Sequence, residues 1–136
     1  MEGGADLWLV LDDRRPAFAC WIFHGSMPVL AAPNGQLALP PEIVCLEDSV
    51  TSASYRGRRV APAAWSQIAN RLEQNAVRSI ITKIEESNTA SRRAIVKSGF
   101  HEIATMHFRR VGLQQHTTVQ AGTGAAADLL AEQLPH

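Results

Sequence analysis

Residues 54–65 read Ser54-Tyr55-Arg56-Gly57-Arg58-Arg59-Val60-Ala61-Pro62-Ala63-Ala64-Trp65, and they sit where one hydrophobic period gives way to another. Upstream, residues 42–51 (EIVCLEDSVT) form an apolar run with the length of a strand, interrupted by Glu47-Asp48-Ser49. An acidic pair inside such a strand calls for a bulge, an exposed face or a function. Downstream, Ala61, Trp65, Ile68 and Leu72 recur at helical spacing and predict a helix over 59–74. Pro62 is compatible with it, because the first helical turn has no intrahelical use for its N–H. A glycine-containing, arginine-rich strand-to-helix turn suits a pyrophosphate: the unpaired N–H groups of the first turn converge, and the helix dipole favours an anion there.

The short, β-branched run at 78–85 (RSIITKIE) reads as a buried strand. Strand, helix and strand in that order make a βαβ unit, two parallel strands joined by a right-handed crossover. Asn88 is a good N-cap for a second helix over 89–98, with Gly99 suited to the left-handed position beyond it. Residues 100–110 alternate as a further strand, and 117–119 suggest a short one. Residues 125–134 have helical composition, in an end segment expected to be partly disordered. Toward the N-terminus, 7–12 and 17–24 predict the strands of a hairpin, and the Pro/Gly-rich stretch 27–41 reads as loop.

The 136 residues suffice for one compact domain. Its expected extent is 1–112, with 113–136 as a strand and helix tail. Thirteen basic and thirteen acidic side chains cancel, which argues against a nucleic-acid partner. No apolar stretch approaches the roughly 18 residues of a membrane span, so the expectation is a cytoplasmic protein. Cys20 and Cys45 lack ligand spacing and read as buried thiols, and His101 with His107 has no third partner, so no metal is expected.

The run Tyr55 to Ala61 resembles the acyl-CoA-binding motif of the GNAT acyltransferase superfamily, usually written Q/R-x-x-G-x-G/A, with Arg56 first and Ala61 last. Further on, the run from Asn88 through Lys97-Ser98-Gly99-Phe100 is similar to the second signature of that family, an asparagine leading a short helix that ends in Lys-x-Gly-Phe. The resemblance implies an α/β (α+β) fold with a mixed central sheet, a βαβ acyl-CoA-binding core and flanking helices. It also implies acetyl-CoA or another acyl-CoA as co-substrate, gripped by Arg56, Gly57, Arg58, Arg59, Val60 and Ala61. The pantetheine arm is expected against Val50 and Thr51, with Asn88, Ser91 and Arg92 contributing from the second helix. Direct acyl transfer to an amine of a small molecule or peptide needs a base, for which Glu47 and Asp48 are the candidates and Glu85 and Glu86 the second choices.

Three departures from the family pattern bear on that expectation. Arg59 stands where the motif has glycine, so either the backbone there avoids the left-handed region or a side chain crowds the phosphates. Long-chain acyltransferases related to the family also lack that glycine, which keeps an acyl-carrier-protein donor as an alternative. Many members place a proton-donating tyrosine where this chain has Ile95, leaving water, Ser91 or Tyr55 for that role, or a non-catalytic acyl-CoA-binding domain. Few residues precede the strand at 42–51 compared with the strand and two helices usual in the family. That leaves the acceptor site open, completed by a second copy in a homodimer, or missing in a shortened form.

Overall fold

Two apolar runs fold back on each other through Asp13 and Arg14, which both adopt positive φ (47° and 76°), the conformation that matches the twist of a two-residue hairpin. They are β1 (Gly4–Asp12) and β2 (Arg15–His24), antiparallel from Gly4↔His24 to Asp12↔Arg15. The computed structural model describes residues 4–29 and 32–134. The chain continues through β3 (Ser26–Pro28), β4 (Gln36–Ala38), β5 (Ile43–Thr51), α1 (Val60–Gln74), β6 (Ser79–Thr82), α2 (Thr89–Lys97), β7 (Ala104–Val111), β8 (Gln114–Ala121) and α3 (Ala125–Gln133).

The central sheet has the order β1-β2-β5-β6. β5 runs antiparallel to β2 and parallel to β6, so the expected βαβ unit is present, with α1 as its crossover. Its first residues, Ile43 to Leu46, are all buried, as befits a strand covered on both faces. Phe18, Cys20, Ile22, Val44 and Leu46 project to one side, where α1 supplies Ala64, Trp65, Ile68 and Leu72 and α2 supplies Ile95. Trp65 anchors this core, edge-on to Phe18 and Phe100 at centroid distances of 6.5 and 6.4 Å. Ile43, Cys45 and Ile81 project to the other side, against Met27, Leu37, Val119 and Leu134.

One expectation needs correction. The stretch 27–41 is not simply loop: β3 and β4 pair from Ser26↔Ala38 to Pro28↔Gln36 and bury Met27 and Leu37 completely. Three-residue strands are too short to show a period, so composition alone hid them. At the other end, residues 125–133 form the helix that their composition suggested, and it is docked. Ala127 is fully buried, and the Gln133 amide accepts from Ala38 N–H (2.9 Å) and donates to its carbonyl (2.8 Å). The boundary expected near residue 112 falls in the turn of the β7–β8 hairpin, which pairs from Ala104↔Ala121 to Val111↔Gln114 as a separate sheet.

Trp65→Ala is expected to lower unfolding free energy by about 3–5 kcal/mol, as for other large core truncations. Trp65→Phe keeps more of the packing, so a smaller loss is expected, including about 1 kcal/mol for the missing indole hydrogen bond. Urea unfolding followed by far-UV circular dichroism checks both.

Candidate functional site

β5 and β6 share the pairs Ile43↔Ser79 through Leu46↔Thr82 and then part. Two side-chain contacts close the last shared rung. Thr82 Oγ1 donates to the Leu46 carbonyl at 2.9 Å, and Lys83 Nζ lies 3.1 Å from Glu47 Oε1. Beyond that point β5 continues to Thr51 with no strand beside it on the β6 side, among the described residues. The result is a fork with a bare backbone edge.

The divergence is helped by a bulge. Trp21 pairs with Glu47 and Ala19 with Val50, so the single residue Cys20 faces both Asp48 and Ser49. Asp48 takes φ 53°, which an aspartate tolerates better than most side chains. The indole N–H of Trp65 donates to Ser49 Oγ at 3.1 Å and ties the bulge to α1. The acidic interruption noticed in the sequence is therefore a bulge.

Its two carboxylates differ in setting. Glu47 is 17% exposed and its Oε1 receives both the Lys83 ammonium and the Cys45 thiol, the latter at 3.3 Å. Lys83 also donates to the Pro28 carbonyl, bracing β6 against β3. Asp48 is exposed at the open end of the fork.

From Thr51 the chain passes through a short 3-10 turn (Ala53–Tyr55) into α1. Ala63 is the first α1 residue whose N–H finds an intrahelical carbonyl, that of Arg59 at 3.3 Å. Val60 and Ala61 precede it, so their N–H groups are the open donors of a helix start, and Pro62 has none to lose. A shallow pocket of about 280 Å³ lies here, lined by Thr51, Tyr55, Arg56, Gly57, Arg59, Val60, Ala61 and Pro62. Gly57 has φ 78° and Arg59 φ 60°. Of the two alternatives left by the sequence, the backbone keeps the left-handed turn that glycine favours, and Arg59 is among the residues of the pocket wall.

The remaining sequence candidates scatter. Arg58 stacks over the Tyr55 ring at 5.5 Å, and the Tyr55 hydroxyl donates to Asp12 at 2.6 Å, an interaction that raises its pKa. Arg56 Nε donates to the Thr51 carbonyl at 3.4 Å, across the strand-to-helix turn. Asn88 caps α2 by accepting from Ser91 N–H at 3.2 Å. Arg92 lies away from the α1 pocket: it donates to the Glu86 carbonyl at 3.1 Å and sits 3.6 Å from Glu102. Ile95 is buried in the core. Among the described residues no three His, Cys, Asp or Glu side chains gather as a metal group.

Lys83 was not picked out from the sequence, where nothing distinguishes it from any strand-terminal lysine. A second, larger cleft of about 1130 Å³ was also not foreseen. It runs along β6 and is lined as well by residues of β7, β8 and α3.

Burial pushes the Cys20 thiol up to about 11, and burial together with the Glu47 carboxylate pushes Cys45 higher still. Both thiols therefore stay protonated near pH 8, and a disulfide reagent is expected to label them only once the protein is denatured. Arg59→Gly is expected to raise the unfolding free energy by up to about 1 kcal/mol through relief of left-handed strain, and Arg59→Val to lower it by about 1–2 kcal/mol, read by thermal unfolding.

No family model and no curated protein matches the sequence. Solved structures match the fold. AAC(6')-Iy in complex with the bisubstrate analogue CoA-S-monomethyl-acetylneamine superposes with a TM-score of 0.57 at 18% identity, over 72% of this chain and 63% of that one. The BH1408 protein from Bacillus halodurans gives 0.55 at 15% identity, over 71% and 59%. A predicted acetyltransferase from Clostridium acetobutylicum, solved with acetyl-CoA, gives 0.50 at 13% identity, over 72% and 58%. The chain thus spans 63% and 59% of the lengths of the first two. With a forked parallel strand pair, a bulge at its open end and a strand-to-helix turn beside it, this chain has the fold of the GNAT acetyltransferases.

Proposed function

We propose that the protein transfers an acyl group from acyl-CoA to an amine. The observation that carries this reading is the unpaired edge of β5, which leads directly into the open N-terminus of α1. The pyrophosphate belongs at that N-terminus, where Gly57, Val60 and Ala61 offer backbone N–H groups and Arg56, Arg58 and Arg59 offer charge-assisted contacts. The pantetheine arm, which carries amides, pairs with the backbone of Val50 and Thr51 as an added strand does. The solved acetyl-CoA, CoA and bisubstrate complexes of proteins with this fold support acyl-CoA as the co-substrate.

This places the thioester at the bulge. A backbone N–H near Val50 polarises its carbonyl, and the acceptor amine, once neutral, attacks the carbonyl carbon. The proton lost by the acceptor ammonium passes to a carboxylate, directly or through water. Asp48 is the better placed of the two candidates, because it is exposed at the open end of the fork while Glu47 is engaged by Lys83 and Cys45. The nitrogen of the tetrahedral intermediate gives its extra proton to solvent, and collapse breaks the C–S bond to leave the amide and CoA thiolate, which takes up a proton from solvent. Asn88 and Ser91 shape the start of α2, and Arg92 braces the loop that follows β6.

A second reading rests on one observation. Ile95, at the position where many GNAT enzymes carry the proton-donating tyrosine, packs into the core, and this favours a domain that binds acyl-CoA without turnover. No helix among the described residues is long and apolar enough to cross a membrane.

Acetyl-CoA at a hundred times its dissociation constant is expected to stabilise the protein by about 2.7 kcal/mol, seen as a rise in melting temperature. Arg56→Gln is expected to weaken binding about 10-fold, with a reduced dependence on salt. No shift with acetyl-CoA, a longer acyl-CoA or free CoA rejects the proposal. Thiol release in the presence of a panel of amines separates the two readings. Asp48→Asn, which tolerates the same backbone angle, is expected to cut turnover about 100-fold while leaving acetyl-CoA binding intact.

A further inference from the structure

The shallow pocket at the start of α1 is lined by one short stretch of chain, in which Gly57 and Arg59 both take left-handed φ (78° and 60°). For Arg59 that conformation is sterically costly, and such a turn keeps its shape only where its surroundings hold it. The hold comes from the end of the β1–β2 hairpin. Ser52 N–H donates to the Ala17 carbonyl at 2.9 Å and Ser52 Oγ to the Pro16 carbonyl at 2.6 Å, which fixes where the turn begins. Further in, the Tyr55 hydroxyl donates to Asp12 Oδ2 at 2.6 Å, a contact between residues 43 positions apart.

This last bond reaches the pocket itself, because Tyr55 is one of the lining residues and its ring carries the Arg58 guanidinium at 5.5 Å. Asp12, Tyr55 and Arg58 thus form one chain of contacts from the hairpin to the arginine-bearing turn. By charge alone, a carboxylate beside an anion site is unfavourable. As the acceptor of a short O–H bond it has a different value, since a hydrogen bond to a carboxylate is among the stronger kinds. The same bond raises the pKa of the Tyr55 hydroxyl, so the contact keeps its proton through the neutral range.

Resting on the acyl-CoA reading above, we propose that Tyr55, latched by Asp12, is a positioning residue for the diphosphate site. It fixes the turn from Arg56 to Arg59 in the shape that receives the phosphates, and so makes the β1–β2 hairpin part of the donor site. Tyr55 acts through the backbone that follows it and through Arg58. Its hydroxyl proton is engaged by Asp12 and does not serve the leaving thiol.

The test measures acetyl-CoA binding by titration calorimetry, with the wild-type chain first, so that failure of the acyl-CoA reading is seen before any variant is compared. Tyr55→Phe keeps a ring beneath Arg58 and removes the hydroxyl, and it is expected to weaken binding about 10-fold. Asp12→Ala is expected to weaken binding by a similar factor, whereas removal of a negative charge from an anion site would by itself tighten it. Asp12→Asn keeps an oxygen acceptor and is expected to rescue most of the loss. Because both groups act through one bond, Asp12→Ala/Tyr55→Phe is expected to bind no more weakly than either single variant, within about 2-fold. Tyr55 is the only tyrosine of the chain, so its ultraviolet absorbance titration reads the latch without a ligand, and its midpoint is expected to fall in Asp12→Ala. Unchanged or tighter binding in Tyr55→Phe or Asp12→Ala overturns the proposal. So do multiplying losses in the double variant, absence of rescue by Asp12→Asn, or a tyrosine midpoint indifferent to Asp12→Ala.

Discussion

The parting of β5 from β6 after Leu46 and Thr82 is the constraint on which the rest of the structure turns. Parallel strands that stayed paired would bury the backbone edge of β5 and leave no slot beside it. Here the register slips by one residue against β2 at Asp48 and Ser49, and the added residue increases local twist and turns the outer half of β5 away from β6. The shared half of the pair needs both faces covered, which α1 and α2 provide on one side and the β3–β4 hairpin with α3 on the other. The bulge is held from the helix side by the Trp65 to Ser49 hydrogen bond, so the same indole that fills the core also secures the mouth of the fork.

Charge at this mouth is arranged by geometry rather than by excess. Lys83 and Glu47 are the first side chains past the last shared backbone pair, and each belongs to one arm of the fork. Their contact, reinforced by the Lys83 bond to Pro28, ties three strands together at the point where backbone pairing stops. Sharing one carboxylate oxygen between an ammonium and a thiol keeps a half-buried acid supplied with donors, which is the usual condition for burial of such a group. Asp48, one residue on, has none of these partners in its surroundings and faces solvent. Adjacent acids in one strand thus come to serve different ends, one structural and one open to chemistry.

Much of the fold could be read without coordinates, and the reason differs from element to element. α1 was legible because Ala61, Trp65, Ile68 and Leu72 mark one face over a length that local propensity supports. The β1–β2 hairpin was legible as two apolar runs, although its Asp13-Arg14 turn lacks the glycine that such turns favour. β3 and β4 were invisible because each has only three residues, and their stability comes from Met27 and Leu37 packing against a core assembled from distant parts of the chain. Of the candidate site, the arginine-rich strand-to-helix turn was legible as a local feature, and of the three readings open for the acidic pair the structure shows the bulge. Arg92 was assigned by its place in a motif, and its guanidinium meets the Glu86 carbonyl and Glu102.

What the sequence determined by itself is the set of local structures: a strand ending in an acidic bulge, a turn whose glycine and arginines open a helix, and an asparagine-capped helix after the second parallel strand. Each depends on residues within a few positions of one another, where propensity, capping and backbone sterics act. Only the tertiary structure decided which carboxylate is engaged, where Arg59 sits in the pocket wall, and that β6 borders a cleft with no further strand of the central sheet on its outer side among the described residues. Those outcomes depend on contacts between residues far apart in the chain, such as Lys83 with Glu47 and Pro28, and no local pattern encodes such distances.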